Sequence, residues 1–263
     1  METNTKPGEL RTREGKHTMT EWWELSEAAE RPNIPLFRNF MGPDDLVFDI
    51  GANRGRKTWI FRQLGARVIA VEPLAKFFQE WVPELYWKFA KDPGVTIIAA
   101  AIDKSALNVP FWIQKNIPYL SSMNGPWRTK SAHRTYYNDV NSELVNVPAI
   151  TLDSLMENHG RPVFIKCDVE GNENQTMTTL SRPVLAFNME FHEDWIPSVA
   201  IKHMARLAKY EWNFTLDFRP QFVLPEWTNH VKMLQYMRDT LTKKGPGSWG
   251  DLYGRVRDHS WNF

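Results

Sequence analysis

The stretch DLVFDIGANRGRKTWIFRQLGARVIAVEP, residues 45–73, decides the fold. Its apolar run at 46–50 suits a strand buried on both faces of a parallel sheet. A turn bearing two glycines follows at 51–55, and a helix is predicted from about Arg56 to Leu64, closed by Gly65. Residues 68–71 make a second strand that ends in Glu72 and Pro73. Strand, helix and strand in this order form a β-α-β unit, whose crossover is right-handed.

The turn points to a nucleoside ligand. Gly51 and Gly55 remove side chains where the backbone turns sharply and let a ligand approach. Asp49 at the strand tip can accept a hydrogen bond from a cationic amine or orient one through water. A dinucleotide site reads G-x-G-x-x-G and seats a pyrophosphate on a helix N-terminus. Here the spacing is G-x-x-x-G, Asn53 stands where the central glycine belongs, and the acid below the turn repels a pyrophosphate. Glu72 ends the second strand, 21 residues after Gly51, where a carboxylate can take both ribose hydroxyls of an adenosine. Ile102 and Asp103 follow a third strand at 95–100, placed to sandwich an adenine and accept from its amine, or simply to form the turn at the strand end.

A second cluster, FIKCDVEGNE at 164–173, again runs from an apolar strand into acids, a glycine and a helix. If the strand persists, Lys166, Asp168 and Glu170 share one face. Asp168 or Glu170 can then accept the proton of a substrate hydroxyl, or position it. Glu173 serves equally well as a carboxylate near a helix N-terminus, and Cys167 reads as a small packed residue. Glu190 and His192 end a fifth strand, where an imidazole titrating near neutrality is a candidate general base. Asp168, Glu190 and His192 can be drawn around a divalent metal. Three ligands inferred from strand tips do not carry a metal site, so none is expected.

Outward from these blocks, Thr18 and Glu21 can form a capping box ahead of a helix that Pro32 stops. That helix would lay Trp22 and Trp23 over the domain, or lid the active site. A helix at 74–89 is kinked or divided by Pro83. An insertion at 107–147 is irregular, with strands at 108–113 and 142–150. Helices at 151–158, 173–180 and 198–210 alternate with strands at 163–167 and 184–189. Strands at 212–218 and 231–236, the second equally able to extend a helix, complete a sheet of about seven. The expected division is an N-terminal tail and helical arm at 1–40, one α/β domain at 41–245, and a surface tail at 246–263.

The chain has 263 residues, 42% apolar and 24% charged, as expected of one large globular domain with an added arm. Lysine plus arginine (32) balance aspartate plus glutamate (31), which gives no electrostatic case for a nucleic-acid partner. No run reaches the roughly 20 apolar residues of a membrane span, and the polar first residues lack a secretory h-region. The lone Cys167 forms no intrachain disulfide. A cytoplasmic location is expected. Twelve tryptophans leave some to line a concave surface that stacks on a ring.

Three blocks together resemble the FkbM family of methyltransferases: VFDIGANRGRKT (47–58) with AVEP (70–73), TLDSL (151–155), and FIKCDVEGNEN (164–174). Ser121-Ser122-Met123 is similar to the family's Ser-Ser-Leu, and the resemblance runs from Leu46 to His192. It implies an S-adenosylmethionine-dependent enzyme, mostly O-methylating. The implied fold is α/β: a Rossmann-like, doubly wound, mostly parallel sheet of the class I methyltransferase type with an antiparallel last strand. Carried over by position, Asp49, Gly51, Asn53 and Gly55 would hold the methionine portion and Glu72 the ribose, with Asp168 and Glu170 at the reaction site. Cys167 replaces an aliphatic residue, and QTMTTLSRP (175–183) departs from the usual aliphatic pair and glycine. The arm and the region past Trp195 show no distinctive match. The expected acceptor is a hydroxyl of a small molecule or glycan, with sugars favoured by the aromatic residues of 118–137. The competing expectations are a non-catalytic S-adenosylmethionine- or protein-binding domain and a nicotinamide-dependent oxidoreductase.

Overall fold

The computed structural model describes residues 17–77, 81–105, 107–115, 117–124, 141–192, 196–217, 219–244 and 248–257. Most of the aromatic stretch 118–137, all of 1–16 and Trp195 lie outside the described residues.

The apolar run forms β1 (Leu46–Ile50), and each of its residues is buried. It lies between two parallel neighbours, β2 (Arg67–Val71) and β7 (Phe164–Cys167). Beyond β2 lies β3 (Val95–Ile98), and beyond β7 lies β8 (Ala186–His192), both again parallel. The last strand, β10 (Trp249–Val256), runs antiparallel between β8 and β9 (Tyr210–Phe214). The sheet order is therefore β3-β2-β1-β7-β8-β10-β9, with β10 opposed to the rest. This is the expected doubly wound, mostly parallel sheet with an antiparallel last strand.

Alternate side chains of the central strands enter two cores, as the period of two requires. Phe48, Ile69, Ile165 and Phe187 pack with α5 (Leu152–His159), α6 (Glu173–Met177), α7 (Ser198–Leu207) and α8 (His230–Lys244). Val47, Val68, Ala70 and Phe164 pack with α1 (Met19–Glu30), α2 (Ile34–Phe37), α3 (Arg56–Gln63) and α4 (Pro83–Phe89). The second face is also the one that carries the polar positions described below.

Thr18 and Glu21 form the expected capping box, and α1 ends at Glu30 in a 3-10 turn that contains Pro32. Trp23 is buried, lies edge-on to Phe89 and donates its Nε1 hydrogen to the Glu84 carbonyl at 3.3 Å. The helix expected over 74–89 is divided: Pro73–Phe77 form a 3-10 turn and Pro83 begins α4 from its first turn, where a missing N–H costs nothing. The third strand stops at Ile98. Ala101–Ile102 (β4) instead join β6 (Ser142–Ile150), which pairs antiparallel with β5 (Asn108–Gln114) in a small second sheet.

Two expectations are corrected. Residues 231–236 belong to the helix α8, because Met233, Leu234 and Met237 recur with the spacing of one helix face and are buried there. Residues 249–256 are not a surface tail but the strand β10, with Leu252 and Tyr253 among the most buried side chains. Glycines mask its apolar alternation. A Cβ on Gly254 would lie 2.4 Å from Cζ of Phe187, so the ring of β8 occupies the space a side chain would take. No described helix is long and apolar enough to cross a membrane.

Candidate active site

A row of polar residues crosses the second face of the sheet. Asp49 stands opposite Lys166, Lys166 opposite Asn188, and Asn188 opposite Tyr253, on β1, β7, β8 and β10. On each parallel strand the flanking residues are apolar, so this row is a deliberate break in a buried surface. Lys166 donates to the Gly51 carbonyl at 2.7 Å and lies 3.5 Å from Asp49 Oδ1 and 3.3 Å from Asp168 Oδ2. Burial favours the neutral amine, but the Asp168 and Asp49 carboxylates outweigh it and hold Lys166 charged, above its ordinary range.

Asp49 is fully buried and lines neither of the cavities described below. Its Oδ2 accepts the Thr58 hydroxyl at 2.6 Å, which ties the strand to the first turn of α3. Its Oδ1 has no hydrogen-bond partner. The cationic amine that the sequence reading sought beside it is thus, within the chain, the Lys166 ammonium. Gly51 has φ +74°, and a Cβ there would lie 1.8 Å from the Asp168 carbonyl oxygen. Only glycine permits this contact between the turns after β1 and β7. Gly55 caps α3, and a Cβ there would press on Phe89 and Leu85, so its smallness serves helix packing.

Glu72 faces a cleft between the ends of β1, β2 and β4. Its carboxylate is held by two backbone N–H groups, Asn53 to Oε2 at 2.8 Å and Leu74 to Oε1 at 2.9 Å. Burial pushes its pKa up, and those two hydrogen bonds pull it partly back. Gly51, Asn53, Leu74 and Ile102 line the same cleft. Asp103 does not: its Oδ1 accepts the Ser105 N–H at 2.8 Å and shapes the turn after β4. The donor set suits a nucleoside: a carboxylate fixed to receive hydroxyls, apolar walls from Leu74 and Ile102, and further acids at Asp168 and Glu170 that disfavour a pyrophosphate.

A second cavity of about 610 Å³ adjoins the cleft, and Gly51, Asn53, Asp168 and Glu170 line both. Glu190 and His192 enter it from β8, Asp251 and Trp249 from β10, and Trp22 and Glu30 from α1. The N-terminal helix therefore walls this cavity as well as packing on the domain. Glu30 holds Arg56 at 3.0 Å and Lys57 at 2.7 Å, which bonds that wall to α3. Burial, then the neighbouring Glu190 carboxylate, raises Glu170 well above an ordinary carboxylate. Burial, then Asp168, does the same to Glu190. Asp251 is lifted to about 6, again chiefly by burial.

Three parts of this site go beyond the residues expected from sequence. Lys166 shares the face of Asp168, as the alternation predicts, but the linear pattern assigns it no role. Ser122 and Asn124 brace the turn that carries Glu170: the Ser122 hydroxyl donates to the Glu170 carbonyl at 2.6 Å and the Asn124 amide to the Gly171 carbonyl. The Ser-Ser-Met triplet was the available signal. Asn188 and Asp251, joined at 3.0 Å, line the cavity from two strands, and only the sheet register reveals them. Cys167 is fully buried in the opposite core, and burial pushes its thiol well up. Glu173 accepts the Val169 and Gly171 N–H groups at 3.0 and 3.3 Å, the structural alternative considered for it.

A family model described as the methyltransferase FkbM domain matches residues 49–243, which extends well past His192. No curated protein matches the chain. Among solved structures, the chain is similar to precorrin-6y C5,15-methyltransferase from Geobacter metallireducens at 10% identity and a TM-score of 0.45, over 86% of this chain and 87% of that one. A putative sarcosine dimethylglycine methyltransferase from Galdieria sulphuraria aligns at 10% identity and a TM-score of 0.42, over 94% and 91% of the two chains. The 1,6-didemethyltoxoflavin-N1-methyltransferase of Burkholderia thailandensis, with S-adenosylhomocysteine bound, aligns at 14% identity and a TM-score of 0.35, over 91% and 82%.

Proposed function

Because the chain belongs to the FkbM methyltransferase family and is an S-adenosylmethionine-dependent methyltransferase, we propose that it methylates a hydroxyl oxygen of a small molecule or sugar held in the larger cavity. The observation that carries this reading is the shared boundary: Asp168 and Glu170 line both the nucleoside cleft and the 610 Å³ cavity.

In this reading Glu72 receives the ribose hydroxyls, with Ile102 and Leu74 against the base and Gly51 and Asn53 beside the methionine portion. When bound, S-adenosylmethionine would supply an electrophilic sulfonium methyl group to the acceptor oxygen, with the neutral thioether as leaving group. Asp168, steadied by Lys166 at 3.3 Å, takes the hydroxyl proton. Glu170, Glu190 and His192 position the acceptor, and the surrounding carboxylates favour a cationic over a neutral sulfur. The walls from α1 and β10 keep bulk water from the methyl group and align the two partners. Asp49 acts at one remove, by holding Lys166 charged and in place.

The test is transfer of a labelled methyl group to a panel of glycosides, polyketide alcohols, small amines and peptides. Label on a hydroxyl acceptor is expected. Label confined to amines or peptides would overturn the acceptor assignment. Asp168→Asn is expected to lower kcat by about 100-fold or more while leaving cofactor affinity nearly unchanged.

A further inference from the structure

The ends of β7 and β8 bring Glu170, Glu190 and His192 together at the edge of the larger cavity. One carboxylate oxygen from each glutamate and one imidazole nitrogen lie within 4.8 Å of one another. Nε2 of His192 is 3.1 Å from Oε2 of Glu190. Ligands about 2.1 Å from an octahedral ion stand about 3 Å apart when adjacent and about 4.2 Å apart when opposite. The triangle is therefore close to the size that a divalent cation draws together.

Two further observations point to a cation. Oε2 of Glu170 is buried and has no hydrogen-bond partner. Among the described residues no lysine or arginine comes within ion-pairing distance of Glu170 or Glu190. Lys166 is engaged instead by Asp49, Asp168 and the Gly51 carbonyl. Glu170 also sits at φ +54°, an unusual conformation for a side chain of its kind, braced there by Ser122. The backbone that carries this carboxylate is thus fixed before any ligand arrives. Asp168, a candidate for such a triad from sequence, turns to Lys166, and Glu170 stands in the third place.

We propose that Glu170, Glu190 and His192 bind one divalent cation, of the kind represented by Mn²⁺, which holds two neighbouring oxygens of the acceptor. Two carboxylates offset the charge of the ion, and oxygen donors with one imidazole suit manganese better than a soft metal. Three protein ligands leave three octahedral positions for acceptor oxygens or water. The substrate class that follows is one with adjacent oxygens, such as a vicinal diol. The cation's role at the acceptor rests on the methyl-transfer reading, whereas its binding does not.

The experiment is a titration of the chelator-stripped full-length protein with Mn²⁺ alone, with free Mn²⁺ followed by electron paramagnetic resonance. One ion per chain is expected. Glu190→Gln and His192→Ala should each weaken binding by about tenfold or more, with folding checked by cofactor titration. Asp217→Asn, which alters another carboxylate lining the same cavity, should bind as the parent does. Failure to bind, or equal binding by all four proteins, would overturn the site. Stoichiometric binding by a protein that methylates nothing would leave the site standing and overturn the methyl-transfer reading. Methyl transfer at an unchanged rate after chelation would overturn the cation's role.

Discussion

At the scale of single residues, the pair of Asp49 and Lys166 organises the floor of the site. Both side chains are almost wholly buried, so removing one leaves the other uncompensated. Lys166→Met is expected to lower unfolding free energy by about 3–5 kcal/mol in urea. The double variant with Asp49→Asn should recover much of that loss, whereas additive losses would mean that the two do not act as a pair. Glu72→Gln puts an amide where both carboxylate oxygens now accept backbone N–H groups. Cofactor affinity should fall by about tenfold or more, and an unchanged affinity would remove Glu72 from the site. The pH dependence follows from the same burial. Glu72 accepts hydroxyls best as the anion, and its pKa lies above 4.5. Cofactor affinity should therefore be full above that raised value and fall as pH drops through it, earlier than an ordinary carboxylate would dictate. Stability runs the other way: its contribution is present below the unfolded value and declines as pH rises through the folded one. That Asp49, Gly51, Glu72, Asp168 and Glu170 gather near the strand ends was legible from the apolar runs they interrupt or closely follow. The partner of Asp49 was not, since register across strands is absent from a linear pattern.

At the scale of elements, β10 shows where apolar periodicity fails. Its glycines accommodate Phe187 and the Thr215 carbonyl, so small residues mark tight packing rather than a loop. Gly254→Val is expected to force the Phe187 ring aside and to cost stability of about 1–3 kcal/mol or more. A Tm equal to the parent would mean that the strand is not held against β8 as described. The β-α-β unit, by contrast, was legible almost to the residue, because its strands are buried on both faces and its turn needs glycine at φ +74°. Helix α1 was legible from its capping box, and its packing sets a further expectation. Trp23→Ala removes a buried indole from Phe89 and the Glu84 carbonyl and should cost about 3–5 kcal/mol. A loss below about 1 kcal/mol would show that the helix does not dock on α4 in solution.

At the scale of the whole molecule, function follows from one face of one sheet. Five parallel strands end on the same side, and β10 returns between β8 and β9 to close the cavity with Asp251 and Trp249. The smaller cleft lies over β1 and β2, the larger cavity over β7, β8 and β10, and the two meet at Asp168 and Glu170. Fold class and cofactor class could be read from the first 30 residues of the domain because local sequence builds that half. The larger cavity could not, because it is assembled from α1, β8 and β10, which lie far apart in the chain. The most direct measurement of the central claim is a calorimetric titration of the protein with S-adenosylmethionine, with NAD as the control ligand. Saturable binding of S-adenosylmethionine at one site per chain, without binding of NAD, is the predicted result. No binding of S-adenosylmethionine, or binding of NAD in its place, would contradict the account.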